Sequence, residues 1–388
     1  MTTSPNTHLL NVQRKAHQIR LNPTPEQVGY LRRACGTRRF IYNWGLAEWQ
    51  RQYRAYKEEQ ATLPEEQRTR KPPNALALKK QFHAIREERF PWTYDVTKCV
   101  VEGAFDDLGK AFANFFAGRT KYPKFKKKGK SHESFYLSND KFTVGKYWMS
   151  IPGLGSFITT QREQQTGQRI SGLAKVRRRL GTVNLAEKLR FHGKIMSATV
   201  SHHAGWWYVS LQVEVPATQQ TKQEPILGID VGLKTSAVVS DGRRLENQKP
   251  WYQYAEQLRI AQRILSRCQK TQDPATHRWM FSQHYLEQRI TVARLHAHIA
   301  NIRADGQHKF STEIARTCAV LGLEDLHIPG MMKNRRKAKA VADAAMGQLL
   351  SLLDTKVRAA GGHVFIASRW FPSTKLCSRC GHKKKRMP

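Results

Sequence analysis

The chain has 388 residues, a length that predicts about two or three domains and excludes a mini-protein. It carries 66 lysines and arginines against 30 aspartates and glutamates, a formal charge of +36, and its 40% apolar content excludes wholesale disorder. This charge predicts a polyanion bound along a long track, which favours nucleic acid over a small acidic metabolite, with a membrane surface as the competing interpretation. No apolar run reaches the roughly 18 residues of a spanning helix and the N-terminus has no apolar signal core, so we expect a soluble, cytoplasmic protein.

The first 120 residues predict one strand followed by helices. Residues 12–21 alternate as a strand does, and residues 24–27 (Thr-Pro-Glu-Gln) combine an N-cap threonine, a proline at the first helical position and a glutamine that completes a capping box. Apolar residues at helical spacing follow, in one helix or a pair. Beyond a polar, proline-containing loop at 61–74, two further helical patterns at 75–88 and 95–116 complete a helical lobe.

The middle of the chain changes from helical to β patterns. Residues 119–130 (RTKYPKFKKKGK) contain seven basic residues, two aromatic residues and no acid. A second basic cluster, Arg177–Arg179, lies within the same β-rich segment. With the N-terminal strand, the segment predicts a small β-barrel or sandwich. Its short strands are expected at 134–137, 141–144, 148–151, 195–202 and 206–215, the last two joined by a turn at 203–205.

From Glu224 onward, strands alternate with helices, which predicts an α/β domain. A long helical region at 254–317 is interrupted near 271–274, and a second helix is expected at 341–360. A third basic run occupies the loop at 333–337. The strands of this domain are expected at 226–231, 236–240, 319–326 and 363–368.

Two carboxylates lie at the ends of predicted strands in this last region. Asp230 ends the strand in Gly-Ile-Asp-Val-Gly, and Glu324 occupies the equivalent place 94 positions later. Carboxylates from neighbouring strands could hold Mg²⁺, which prefers oxygen ligands. With a third carboxylate, two metals can activate a water and stabilise the leaving oxygen of a phosphodiester. The alternative is that each acid is a solvated residue at a strand end.

These motifs resemble those of TnpB proteins, RNA-guided DNA nucleases of bacterial insertion sequences that are related to compact type V CRISPR effectors. Residues 228–234 (GIDVGLK) and 323–326 (LEDL) resemble the first two acidic motifs of the RuvC-like nuclease domain of that family. Further resemblances agree in order and spacing across nearly the whole chain. Residues 42–46 (YNWGL) resemble the N-terminal helical motif, and residues 108–116 and 123–128 resemble the helix-to-barrel junction. Residues 295–303 resemble the helix before the second acidic motif, and residues 371–381 resemble the beginning of a zinc ribbon.

The resemblance implies a multidomain α+β fold. Residues 1–23 and 121–222 would form a wedge-like β-barrel domain, 24–120 a helical recognition lobe, and 223–388 an RNase H-like (RuvC) α/β domain with an incomplete zinc ribbon at 377–388. It also implies a guide RNA and a double-stranded DNA target as partners, with sequence read by guide pairing.

The resemblance further implies Asp230 and Glu324 as catalytic residues and weak Mg²⁺ ligands. Cys377 and Cys380 would be half of a zinc site, to which His382 could add a third ligand only by unusual geometry; two free thiols are the alternative. The third catalytic carboxylate of the family follows a second Cys-x-x-Cys pair, and neither occurs before Pro388. Asp343 and Asp354, on the following helical pattern, are the candidate substitutes.

We therefore expect guide-directed DNA binding with weak or absent cleavage, as in a repressor or a decayed transposon product. The alternatives are an active Mg²⁺-dependent endonuclease and a guide-independent RNA-binding protein. Tyr122, Phe125, Trp206 and Trp207 could stack on unpaired bases, although core packing is expected for at least one of the two tryptophans. The residues expected to contact phosphates are all basic: Lys121, Lys124, Lys126, Lys127, Lys128, Lys130, Arg177, Arg178, Arg179, Lys333, Arg335, Arg336 and Lys337.

Overall fold

A computed structural model describes residues 12–217, 225–275, 279–372, 376, 380, 382 and 383. The chain divides into two compact units. Arg14–Val215 form the N-terminal unit, and Pro216–Pro388 with Met1–Gln13 form the C-terminal unit. This boundary lies a few residues before the predicted one at 222–223. The further division of the first unit into a helical lobe and a β-barrel domain stays a prediction.

The N-terminal unit begins with strand β1 (Val12–Asn22) and the 38-residue helix α1 (Pro25–Thr62). The predicted capping box is confirmed, because the Thr24 hydroxyl accepts the N–H of Gln27 while the Gln27 side chain accepts the N–H of Thr24. The apolar residues that fitted one helix or two all lie in this single helix. Helices α2 (Ala75–Arg89) and α3 (Lys98–Phe116) pack against it around a shared aromatic core.

A six-stranded sheet forms the rest of this unit, in the order β2-β5-β6-β1-β4-β3. The N-terminal strand joins it as predicted. The turn predicted at 203–205 is confirmed: Ala204 and Gly205 both have positive φ, as a tight hairpin between two twisted strands requires. In the described residues the edge strands are not paired with each other, so the sheet is open. The strands are β2 (Glu133–Ser138), β3 (Trp148–Ser150), β4 (Thr182–Leu185), β5 (Lys194–His203) and β6 (Trp206–Pro216).

Two helices interrupt the segment that the sequence predicted to be rich in strands. They are α4 (Leu154–Thr166) and α5 (Leu173–Leu180), and each follows a glycine in the left-handed conformation. Arg177–Arg179, which lie within this segment but outside its predicted strands, form the last turn of α5. The strand predicted at 141–144 is wrong: residues 139–141 form a 3₁₀ turn, and Val144 makes only an isolated bridge to Met149.

The C-terminal unit contains a five-stranded sheet in the order β13-β12-β7-β8-β9, which confirms the predicted mixture of strands and helices. Its central strand β7 pairs in parallel with β12 and antiparallel with β8. Leu227, Ile229, Leu321 and Leu323 cover one face of the sheet and pack against the two long helices α8 and α11. The strands are β7 (Ile226–Asp230), β8 (Thr235–Val239), β9 (Arg244–Glu246), β12 (Val320–Glu324) and β13 (His363–Ala367), and the helices are α8 (Gln283–Thr317) and α11 (Met346–Ala359).

The predicted break in the long helical region is confirmed, and it contains a β-hairpin. Strands β10 (Lys270–Gln272) and β11 (Trp279–Phe281) pair between α7 (Ala255–Arg267) and α8. The helix predicted at 341–360 is two helices, α10 (Ala338–Ala344) and α11, separated by Ala345 with a φ of 48°. Short helices α6 (Pro250–Gln253) and α9 (Ile328–Met331) precede α7 and α10. In the described part of the chain, no helix is both long and apolar enough to cross a membrane.

Candidate nucleic-acid and metal site

Two neighbouring parallel strands of the C-terminal unit end in the two predicted carboxylates. The pairing of β12 with β7 keeps a constant offset of 94 positions and extends to Gly322↔Gly228. Asp230 and Glu324 have the same offset and are the last residues of their strands. The sheet therefore places the two residues level with each other at its carboxyl edge. Their catalytic role stays a prediction.

The alternation of buried residues explains why both acids emerge on the open face of the sheet. Leu227 and Ile229 are buried in β7, so Asp230 points to the opposite face, and β12 repeats this pattern up to Glu324. Gly228 lies on the same open face, where an added Cβ would meet no atom within 4 Å. The absence of side chains before the acids leaves room for a ligand.

A cleft of about 860 Å³ lies at this edge and is lined by both carboxylates. Asp325 and the segment after β13, including Arg369 and Trp370, complete its wall. The Arg369 guanidinium donates to one Asp325 oxygen at 2.7 and 2.9 Å. Sequence reasoning missed Arg369, although this basic residue directly follows the strand predicted at 363–368 and could have been found as a residue at a strand end.

The donor set fits one Mg²⁺, because Asp230 and Glu324 offer hard oxygen ligands beside an open cleft that can hold the waters Mg²⁺ keeps. In the described residues, no group of three or more histidine, cysteine, aspartate or glutamate side chains is arranged to hold a metal ion. Binding of Mg²⁺ by these two carboxylates therefore stays a prediction.

Neither of the two predicted substitutes for a third carboxylate lines this cleft. Asp343 is buried, and its Oδ1 accepts the backbone N–H of Trp251 at 3.1 Å, with Arg303 3.5 Å away. Burial raises the pKa of the Asp343 carboxyl. Asp354 instead pairs with Arg358 one helical turn further along α11, at 2.7 Å.

The predicted half zinc site remains a prediction. Cys377 lies outside the described residues. Cys380 carries a free, exposed thiol. His382 is also exposed.

The basic segment after α3 contains one lysine that is turned inward. The Lys126 ammonium lies 3.9 Å from the centroid of the Tyr42 ring and 3.5 Å from Asp107. Burial lowers the pKa of Lys126, against the opposing effect of Asp107. The other predicted phosphate contacts of this segment are exposed: Lys121, Lys124, Lys127, Lys128 and Lys130. The charge of Lys126 thus lies between an aromatic ring and a carboxylate, and the expectation that it contacts a phosphate stays a prediction.

The motif at 42–46 fastens this segment to α1. The Asn43 side chain accepts the backbone N–H of Lys126 at 2.8 Å and donates to its carbonyl oxygen at 2.9 Å. Two residues further along α1, an added Cβ on Gly45 would lie 2.9 Å from Leu108, so the glycine lets α1 and α3 approach closely. The motif thus positions exposed lysines rather than binding a ligand itself.

The other two predicted basic clusters reach the surface. Arg178 and Arg179 are exposed, whereas Arg177 is half-buried with its Nε 3.3 Å from the Thr159 hydroxyl. The four basic residues of the 333–337 loop are all exposed. This loop begins two residues after Met331, which lines the carboxylate cleft. A nucleic-acid backbone at the cleft would therefore find cations beside it.

The aromatic residues divide between core and surface. Trp207 is 4% exposed and belongs to the core, which confirms the expectation for at least one of the pair. Trp206 is 39% exposed and lies under the Arg20 guanidinium, 4.8 Å from the ring. Tyr122 packs edge-on against two phenylalanines of α3 while remaining 40% exposed, and Phe125 is also exposed.

Comparison with known proteins shows similarity along nearly the whole chain. A family described as "Probable transposase" matches residues 209–335, and one described as "Helix-turn-helix domain" matches residues 13–58. A Streptomyces pristinaespiralis protein named "Putative RNA-guided DNA endonuclease" is 30% identical over 382 residues, covering 97% of this chain and 82% of that protein. An Escherichia coli K12 protein named "Putative RNA-guided DNA endonuclease InsQ" is 26% identical over 96% of this chain and 84% of its own length.

Residues 13–58 do not form a helix-turn-helix here, since they comprise most of β1 and the single helix α1. Among solved structures, a cryo-EM structure of a Cas12f1-sgRNA-target DNA complex contains a similar chain, with 12% identity and a TM-score of 0.48. The similarity covers 97% of this chain and 93% of that one. At this TM-score the likeness does not by itself establish a common fold.

Proposed function

The chain belongs to the TnpB family, and we propose that it binds a guide RNA and, through pairing with that guide, a matching DNA target. The observation that carries the proposal is the placement of Asp230 and Glu324 level with each other on parallel strands, at a cleft beside an exposed basic loop. A pair of carboxylates placed in this way is suited to a site that acts on a phosphodiester backbone. The exposed lysines and arginines supply the positive charge that would bind such a backbone.

The residues of the cleft have separable roles in this proposal. Asp230 and Glu324 would hold Mg²⁺, which supplies Lewis-acid stabilisation of a phosphoryl oxygen when bound. Lys333 and Arg335, on the adjacent loop, would neutralise phosphates of the strand entering the cleft. Arg369 holds the Asp325 carboxylate and so keeps it from joining the other two acids.

We further propose that cleavage by these residues is weak or absent, so that guide-directed binding is the main activity. The contacts of the candidate third acids support this proposal. Asp325 forms an ion pair with Arg369, Asp343 is buried and accepts a hydrogen bond from α6, and Asp354 forms an ion pair with Arg358 on α11. A repressor-like function or a decayed transposon accessory fits such a chain.

An active Mg²⁺-dependent endonuclease is the second candidate, and one observation favours it. The Asp325–Arg369 ion pair is half-exposed, with 45% and 39% of the two side chains accessible. Exposed ion pairs contribute only about 0–1 kcal/mol. Binding of a phosphate by Arg369 would therefore release the Asp325 carboxylate into the cleft at little cost.

Co-purification followed by a plasmid assay tests the proposal. The chain is expressed with its flanking RNA, bound RNA is sequenced, and the complex is incubated with matched plasmid and Mg²⁺. We expect a discrete guide, retention of the matched plasmid and little cutting, both in the wild type and in Asp354→Ala, whose carboxylate lies away from the cleft. Cutting that Asp230→Ala abolishes and Asp354→Ala preserves would establish the endonuclease, and random RNA without plasmid retention would indicate guide-independent RNA binding.

A further inference from the structure

The hairpin between α7 and α8 exposes an unusual amount of apolar surface. Its pairs are Lys270↔Phe281, Thr271↔Met280 and Gln272↔Trp279. Trp279 is 58% exposed, Met280 59% and Phe281 40%, and none of these residues belongs to a hydrophobic core cluster of the described chain. Large exposed apolar side chains in a contiguous group mark interaction surfaces.

One side of the hairpin combines aromatic rings with positive charge. Side chains alternate along a strand, so Trp279, Phe281 and Lys270 share one face while Met280 points to the other. The Phe281 ring stacks on Tyr285 of α8, with centroids 4.5 Å apart and planes 14° from parallel. The Lys270 ammonium lies 5.3 Å from the Tyr285 ring. We name Lys270, Trp279, Phe281 and Tyr285 the aromatic face.

Charges around the aromatic face are mainly positive. Arg267 ends α7 and Arg289 lies one turn after Tyr285 on α8, and both are exposed. The nearby acids already accept hydrogen bonds: Asp273 from the N–H of Ala275, and Glu287 from the side chain of Gln283. A polyanion that also presents flat apolar groups complements this surface better than an uncharged apolar partner does.

The long helix α8 carries the hairpin beyond the edge where the cleft lies. The carboxyl end of α8 leads directly into the start of β12, at the opposite edge of the sheet. Further back along α8, Arg303 and Gly306 share a small cavity with Ser236, which lies past the Asp230↔Val238 pair of β7 and β8. The preceding residues, 283–302, form about 30 Å of helix at 1.5 Å per residue, on the side of this level that lies away from β12.

We propose that the aromatic face binds single-stranded DNA, with unpaired bases stacked on Trp279 and Phe281 and phosphates held by Lys270 and the flanking arginines. Bases in a duplex cover each other's faces, whereas unpaired bases can stack on aromatic side chains. Alternate residues of a strand lie about 7 Å apart, which admits one base per ring in an extended strand. The choice of DNA rests on the proposed function, because the same unit holds the carboxylates that face a DNA backbone.

Fluorescence anisotropy of the purified full chain with a labelled oligothymidine tests this site. In the double variant Trp279→Ala/Phe281→Ala we expect binding about a hundredfold weaker, since each of the two lost base–aromatic stacks reduces affinity by roughly tenfold. The matched control, Thr271→Ala/Met280→Ala, removes exposed side chains from the opposite face and should bind as the wild type does. Affinity for a duplex of the same length should not change in either variant.

Conservative substitution and competing ligands make the test decisive. Trp279→Phe/Phe281→Tyr keeps two rings and should retain oligothymidine binding, with circular dichroism confirming that each variant is folded. Equal losses of oligothymidine affinity in both double alanine variants, or no loss of affinity in either, would overturn the proposal. A loss of affinity for oligouridine RNA alone would also overturn the proposal. So would the finding that Trp279→Ala/Phe281→Ala abolishes a concentration-dependent dimer and leaves DNA binding unchanged. Guide retention is measured separately on the same proteins, so failure of the proposed function and failure of this site are distinguished.

Discussion

At the scale of single residues, two glycines of α1 have opposite relations to their surroundings. A Cβ on Gly45 would lie 2.9 Å from Leu108 and 3.3 Å from Phe105, both buried in the lobe core, whereas a Cβ on Gly29 would meet nothing within 4 Å. We expect Gly45→Ala to lower the free energy of unfolding by about 1–2 kcal/mol, because overpacking outweighs the gain in helix propensity. Gly29→Ala should raise it by up to about 1 kcal/mol. Urea denaturation measures both, and a stabilising Gly45→Ala would contradict the close packing of α1 and α3.

Lys126 and Lys128 are two positions apart, but only Lys128 is exposed. Lys126→Met should lower the free energy of unfolding by about 1 kcal/mol through loss of its contact with Tyr42, and leave the salt dependence of RNA binding unchanged. Lys128→Ala should leave stability unchanged but reduce the slope of log affinity against log salt by about one if it contacts a phosphate. The measurements are urea denaturation and RNA titrations over a range of salt. The reverse assignment of effects would mean that Lys126 faces the nucleic acid.

At the scale of elements, Asp343 joins α10 to α6 through the N–H of Trp251 and is 3% exposed. Burial raises its pKa, while Arg303 and Lys339 oppose the shift. A carboxyl whose pKa is raised in the folded chain contributes stability that is fully present at pH values below its ordinary pKa of 3.8. This contribution is lost as the pH rises through the pKa that the carboxyl has in the folded chain. Asp343→Asn removes this titration but keeps an acceptor for Trp251. Relative to the wild type, the variant should therefore gain stability as the pH rises above the ordinary value of 3.8.

Urea denaturation at several pH values measures this difference. Asp354→Asn, at an exposed carboxylate paired with Arg358, is the control for the loss of a carboxylate from the same unit. A difference between Asp343→Asn and the wild type that is constant with pH would show that the buried carboxyl does not titrate in this window.

At the scale of the whole molecule, exposed cations occur on both units, at 121–130 and 177–179 in the first and at 333–337 in the second. Their combined effect should make RNA affinity fall steeply with salt, by about a thousandfold between roughly 50 and 200 mM if six phosphates are neutralised. Filter-binding titrations at several salt concentrations give the slope. Affinity that hardly changes with salt would contradict the charge-based prediction from which the functional argument began.

Features that depend on neighbouring residues or on strand alternation could be predicted from the amino-acid sequence. The start of α1 follows from four consecutive residues, and the positions of Asp230 and Glu324 at strand ends follow from two apolar runs that each end in an acid. The exposure of the basic residues predicted to contact phosphates, except Lys126 and Arg177, also follows from local composition. These features are readable because the interactions that create them act over a few positions of the chain.

Tertiary packing determines which residues of a uniform pattern turn inward and which distant residues meet. Lys126 has the same local sequence context as its exposed neighbours. Its inward orientation depends on contacts with Tyr42 of α1 and Asp107 of α3. The pairing of Arg369 with Asp325, and the shared face of Lys270, Trp279 and Phe281, likewise arise from strands brought together across many positions. Hydrophobic patterning fixes which face of an element is buried, but the partner across that face is selected by packing, and packing is a property of the whole chain.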